Sequence, residues 1–140
     1  MMKKLSSILL VDDDATANYL NELLLNSLGV ADQLLLAQNG REALATLSQV
    51  CTSSVACPPL ILLDVNMPVM NGIEFLEAYA RLPLTQQQAI VIIMLTTSLH
   101  SRDLERVREL PVAGVVDKPL TKAKVDTILQ MHFQRQLPVE

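Results

Sequence analysis

The stretch Ile8-Leu9-Leu10-Val11-Asp12-Asp13-Asp14 runs a short apolar segment into three consecutive carboxylates, and the fold turns on how it is read. The apolar part is too short for a helix. Unbroken by polar residues, it suits a strand covered on both faces. The same kind of run recurs along the chain, so strands are expected over Ser7–Val11, Leu34–Ala37, Leu60–Leu63, Ile90–Leu95 and Ala113–Val116. Stretches of helical period lie between them. The alternation predicts an α/β domain built on a parallel sheet.

Ala15–Leu28 places Leu20, Leu23, Leu24 and Leu28 at helical spacing, after aspartates that can cap it and before Gly29, which can stop it. Helices are also expected over Arg41–Val50 after Asn39-Gly40, and over Gly72–Leu82 with Ile73, Phe75, Leu76 and Tyr79. The last two are Ser101–Leu110, highly charged, and Thr121–Phe133, with Val125, Ile128, Leu129 and Phe133 on one side. Cys51–Pro59 and Leu84–Gln88 read as connectors within residues 1–140, taken as a single domain.

The 140 residues carry 15 acidic and 11 basic side chains, a net charge of −4, which argues against direct DNA binding. Half the residues are hydrophobic, enough for a core and too many for general disorder. No apolar run approaches the ~20 residues of a membrane helix. The run at Ile8 ends on acids where a secretory signal would continue to a cleavage site, so a cytoplasmic location is expected. Cys51 and Cys57 fit neither a C-x-x-C redox motif nor a zinc site, so free thiols are expected. His100 and His132 have no ligand partners at metal spacing and are expected at the surface or on a helix flank. The methionines are expected to fill core and loops.

Ligands of an open parallel sheet bind beyond the carboxyl ends of its strands, where the polar residues ending each apolar run gather. Here those are Asp12-Asp13-Asp14, Asp64, Thr96-Thr97-Ser98 and Asp117-Lys118-Pro119. Clustered carboxylates repel by about 4 kcal/mol per pair at ~4 Å and an effective dielectric near 20, so they call for a cation. Mg²⁺ is the natural candidate, because it takes oxygen ligands and often pairs one or two carboxylates with phosphate. Lys118 and Thr96 then suit phosphoryl oxygens, a set of parts consistent with phosphoryl transfer to a carboxylate. Spacing alone does not say which aspartate is the nucleophile. Asp64 stands by itself before the turn Asn66-Met67-Pro68, and the paired acids fit the metal better.

Four separated stretches closely resemble the receiver domain of two-component response regulators: Ile8–Asp14, Leu62–Gly72, Met94–Ser98 and Asp117–Leu120. They occur in the family order, with 32 residues from Asp64 to Thr96 and 22 from Thr96 to Lys118. The resemblance implies a doubly wound (βα)5 fold of the flavodoxin-like, CheY-like kind, with strand order 2-1-3-4-5. It implies that Asp64 accepts a phosphoryl group from a sensor histidine kinase or a histidine phosphotransfer protein. Asp12, Asp13, Asp64 and the backbone carbonyl of Asn66 would hold Mg²⁺, and Thr96 and Lys118 would contact the phosphoryl oxygens. The Lys118-Pro119 bond is expected to be cis, and Asn66 and Ser98 match positions that tune dephosphorylation. Signalling would run through phosphorylation-dependent protein contacts, as a monomer or a phosphorylation-dependent dimer, with no output domain and no steady enzymatic turnover.

Val115 departs from the pattern. Three residues before the lysine, relatives usually carry Tyr or Phe, whose ring turns inward on activation, and valine has no ring to move. A Mg²⁺-dependent aspartyl-phosphate phosphohydrolase is a competing reading, faintly echoed by Asp64-Val65-Asn66, but its nucleophile belongs on the first strand. A flavodoxin would share the architecture, yet three aspartates would repel a flavin phosphate. A degenerate receiver acting as a phosphorylation-independent scaffold is the remaining alternative.

Overall fold

Within each central strand the unbroken apolar run divides by the two-residue period of extended chain. Leu9, Val11, Ile61, Leu63, Ile92 and Met94 turn to one face of the sheet, and Ile8, Leu10, Leu60, Leu62, Ile93 and Leu95 to the other. The computed structural model describes residues 4–51, 57–82, 90–97 and 101–134. Among them, β1 (Leu5–Val11), β2 (Ala31–Ala37), β3 (Leu60–Asp64), β4 (Val91–Thr96) and β5 (Gly114–Asp117) form one parallel sheet. The strand order is β2-β1-β3-β4-β5, the order that the family resemblance implies. The helices are α1 (Ala15–Leu28), α2 (Gly40–Val50), α3 (Gly72–Ala80), α4 (Ser101–Arg108) and α5 (Lys122–Phe133). Residues of α2, α3 and α4 pack on the first face, and those of α1 and α5 on the second. Leu84–Gln88, Ser98 and His100 lie outside the described residues.

Short-range chemistry sets the helix ends. Asp14 caps α1 by accepting from the Thr16 and Ala17 amides, and Gly29 closes that helix in the left-handed region at φ +62°. Asn71 and Glu74 form a reciprocal capping box on α3, with bonds of 2.9 and 3.0 Å.

Four expectations need correction. In α1, Leu20 and Leu23 are exposed, whereas Asn18 and Leu25 are the buried positions. The helix carries leucines around much of its circumference, so periodicity did not single out the face that docks on the sheet. The outer strands β2 and β5 are not covered on both faces, and several of their residues are exposed, Leu36 and Val115 among them. Edge position explains how β2 accommodates Asp32 and Gln33, and why it begins before the apolar run. Cys51 and Cys57 are not free thiols but are paired as a disulfide, since the end of α2 and the approach to β3 bring their Cα atoms to 4.4 Å. Met131 does not fill the core but is exposed, whereas Met94 is fully buried.

Candidate functional site

The strand order reverses between β1 and β3, and that crevice is where an open α/β sheet presents its ligand site. Register brings the functional residues there. Val11 is level with Leu63, so Asp12 follows β1 beside Asp64 at the end of β3. Asp64 is level with Leu95 and Thr96 with Asp117, which places Thr96 and then Lys118 one step farther along the same edge.

The three aspartates after β1 have separate tasks. Asp14 caps α1, Asp12 is buried, and Asp13 is exposed. Asp12 Oδ1 accepts from the Asp14 amide at 2.9 Å, and its Oδ2 accepts from Lys118 Nζ at 3.0 Å. Lys118 Nζ also lies 3.0 Å from Asp64 Oδ1, so one ammonium bridges the two buried carboxylates. The Lys118 amide donates to the Thr96 carbonyl at 2.8 Å, and the Lys118-Pro119 peptide is cis. Thr96 itself is buried, Asn66 is exposed, and Ser98 is outside the described residues.

Burial pushes the Asp64 carboxyl above the usual carboxylate value, the Asp12 charge adds to the rise, and the Lys118 hydrogen bond opposes it. For Lys118, burial works against the charged form, but the hydrogen bonds to Asp12 and Asp64 outweigh it and hold the ammonium above the usual lysine value. Carboxylate oxygens of Asp12, Asp13 and Asp64 all lie within 4.8 Å of one another. Three carboxylates against one ammonium leave two negative charges on an oxygen-only donor set, which fits a hard divalent cation with an open, solvated side at Asp13.

The β3–α3 loop is drawn tightly around Asp64. The Gly72 amide donates to the Val65 carbonyl at 2.9 Å, and a Cβ on Gly72 would collide with the Asp64 carbonyl. Val69 sits at φ +67°, a left-handed conformation unusual for a β-branched residue.

Two residues near the site escaped the sequence reading. Asn18 donates from α1 to the Asp12 carbonyl at 2.9 Å. Lys124 donates from α5 to the carbonyls of Asp117 at 2.7 Å and Pro119 at 2.9 Å, on either side of Lys118. A polar residue among the leucines of α1 was the available signal for Asn18. Lysine in the first turn of a helix, against the dipole, was the signal for Lys124. Val115 opens on a cavity of about 320 Å³ between β5 and α5, lined also by Ile93, Lys124, Thr127, Met131 and His132. His132 is half-buried there, on the flank of α5.

A doubly wound sheet whose carboxyl edge joins an acid cluster to a threonine and a bridging lysine defines a class of phosphoryl-handling switch domains. Comparison with known proteins narrows the class. The sequence model of the response regulator receiver domain matches residues 8–130. The chain is 30% identical over 133 residues to two-component response regulator ARR22 of Arabidopsis thaliana, covering 94% of this chain and 86% of that protein. It is 30% identical over 127 residues to a probable chemotaxis protein CheY of Rhizobium etli, covering 90% of this chain and 91% of that one. Among solved structures, a two-component response regulator from Cytophaga hutchinsonii superposes with a TM-score of 0.83 at 25% identity, covering 94% of this chain and 99% of that one. The chain belongs to the response regulator receiver family. No helix among the described residues is long and apolar enough to cross a membrane.

Proposed function

We propose that Asp64 accepts a phosphoryl group from a phosphohistidine of a sensor histidine kinase or a histidine phosphotransfer protein, in the cytoplasm. The phosphorylated chain then signals by binding a partner protein. The observation that carries this reading is the Lys118 ammonium hydrogen-bonded to both Asp12 and Asp64 at the sheet edge. In the transfer, the nitrogen–phosphorus bond breaks as an Asp64 carboxylate oxygen bonds phosphorus, and the imidazole keeps the electron pair.

Asp12, Asp13, Asp64 and the Asn66 carbonyl would hold Mg²⁺. When bound, it screens the charge between the incoming phosphoryl oxygens and the carboxylates. Lys118 then exchanges a carboxylate partner for a phosphoryl oxygen, and the Thr96 hydroxyl donates to another. The Asp14 cap and the Gly72 contact keep the backbone on both sides of the acceptor fixed. With Val115 in place of an aromatic, the change at the site reaches α4 and α5 by backbone shift rather than by ring rotation. Self-catalysed gain and loss of one phosphoryl group is the whole chemistry of this reading, with no separate substrate turned over.

The test is intact mass after rapid quench from acetyl phosphate. The expected result is a single phosphoryl adduct that requires Mg²⁺ and is abolished by EDTA. An unmodified chain, with beryllofluoride also failing to bind, would instead establish a phosphorylation-independent scaffold.

A further inference from the structure

Asn18 is a polar side chain on the docked face of α1, where it is 5% exposed. Its Nδ2 donates to the backbone carbonyl of Asp12 at 2.9 Å and, at 3.4 Å, to that of Ala37 at the end of β2. Both acceptors are carbonyl oxygens, so turning the amide over would set Oδ1 against two oxygens and lose both bonds. In the orientation this imposes, Oδ1 is buried and has no hydrogen-bond partner among the described residues. An unpaired buried carbonyl oxygen is destabilising, and a leucine at this position, like Leu25 two turns on, would remove it only by taking the donor from the Asp12 carbonyl. Packing therefore gives a poor account of this side chain.

The acceptor gives a better one. The Asp12 carbonyl belongs to the peptide that joins Asp12 to Asp13, so the plane of that peptide sets how the two side chains diverge. Asp12 is held at both carboxylate oxygens, by the Asp14 amide and by Lys118. Asp13 is exposed, and its direction depends on the backbone that Asn18 grips. The second bond, to Ala37, ties the same amide to the end of β2, so the β1 terminus is braced against a helix and a neighbouring strand together.

Resting on the receiver reading above, we infer that Asn18 is a positioning residue for divalent-cation binding. It fixes the Asp12–Asp13 peptide so that both carboxylates converge with Asp64. The substitutions Asn18→Leu and Asn18→Ala change no charge, so their effect on a cation cannot come from long-range electrostatics.

Mg²⁺ affinity is measured by titration calorimetry on the folded wild type and both variants, and thermal unfolding is followed separately in EDTA. The expected result is a Kd about tenfold weaker in both variants, the lower end of what loss of an orienting partner costs a metal site. Asn18→Leu should meanwhile stay close to wild type in EDTA, because losing the orphaned Oδ1 offsets the loss of the donor to the Asp12 carbonyl. A purely structural role predicts the reverse, a lower unfolding temperature with Mg²⁺ affinity unchanged. Asn18→Ala adds no bulk and Asn18→Leu leaves no hole, so failure of either one to fold leaves the other to decide. Variants that bind Mg²⁺ within twofold of a binding wild type would overturn the inference. A wild type that takes up no Mg²⁺ would overturn the receiver site itself, a separate and recognisable outcome.

Discussion

Lys118→Met removes the one ammonium that bridges Asp12 and Asp64, leaving buried carboxylates with oxygens within 4.8 Å of one another and of Asp13. At that separation and an effective dielectric near 20, each carboxylate pair repels by about 3.5 kcal/mol. Breaking a fully buried ion pair costs about 3–5 kcal/mol. The Lys118 side chain is 25% exposed, which discounts that range for solvent screening. A loss of about 2–3 kcal/mol is therefore expected at neutral pH without Mg²⁺, roughly 6–10 °C in Tm for a domain of this size.

The pH dependence is the sharper signature. Asp64 already titrates above 3.8 in the folded protein, where it keeps a proton that the unfolded chain has shed, so stability falls as pH rises through its native value. Without the opposing Lys118 hydrogen bond that native value moves further up. The variant's fall is then larger and extends to higher pH, so the gap to wild type widens as pH rises above 3.8. Urea unfolding followed by far-UV circular dichroism, in EDTA and again with excess Mg²⁺, reads both effects. The cation should restore part of the loss. A destabilisation independent of pH and of Mg²⁺ would show that Lys118 acts through packing rather than by neutralising the cluster, and would refute the reasoning.

Three further outcomes are expected. Val69→Gly relieves a left-handed β-branched residue and should stabilise the protein by about 1 kcal/mol, seen as a rise in Tm; an unchanged or lower Tm would mean that the turn carries no strain. Gly72→Ala sets a methyl against the Asp64 carbonyl and 3.1 Å from Val65 Cα. It should cost about 1–3 kcal/mol in urea unfolding and slow labelling by acetyl phosphate. Burial pushes the Tyr79 phenol from 10.0 to about 12, so wild-type stability should fall between those values as pH rises. The Tyr79 share of that slope approaches ~1.4 kcal/mol per pH unit and should be missing from Tyr79→Phe, which keeps only the fall that Lys118 contributes.

Strand positions and the convergence of Asp12, Asp64, Thr96 and Lys118 were legible in the sequence because fully covered strands leave unbroken apolar runs with polar ends. Ile73, Phe75, Leu76 and Tyr79 marked a helix in the sequence, and all four are buried, because Glu74, Glu77 and the ends of α3 leave only one apolar side. On α1 the leucines reach around the helix, and the docked side is chosen by tertiary contact, which periodicity does not contain. The Cys51–Cys57 pairing depends on where α2 ends relative to β3, a distance that exists only once the sheet has formed. Asn18 and Lys124 act on backbone carbonyls, and an acceptor present at every residue leaves no trace in side-chain spacing. The half-open edges of β2 and β5 were missed for a related reason: strand order, not composition, decides which strands lie outermost.

The most direct test of the central claim is to identify the phosphorylated atom. Brief exposure to acetyl phosphate with Mg²⁺, followed by borohydride reduction, converts an aspartyl phosphate to homoserine, which peptide mass spectrometry locates. The account predicts homoserine at position 64, with none at Asp12, Asp13 or Asp14 and none in Asp64→Asn. Homoserine at any of the three β1 aspartates, or at position 64 equally with and without Mg²⁺, would contradict it.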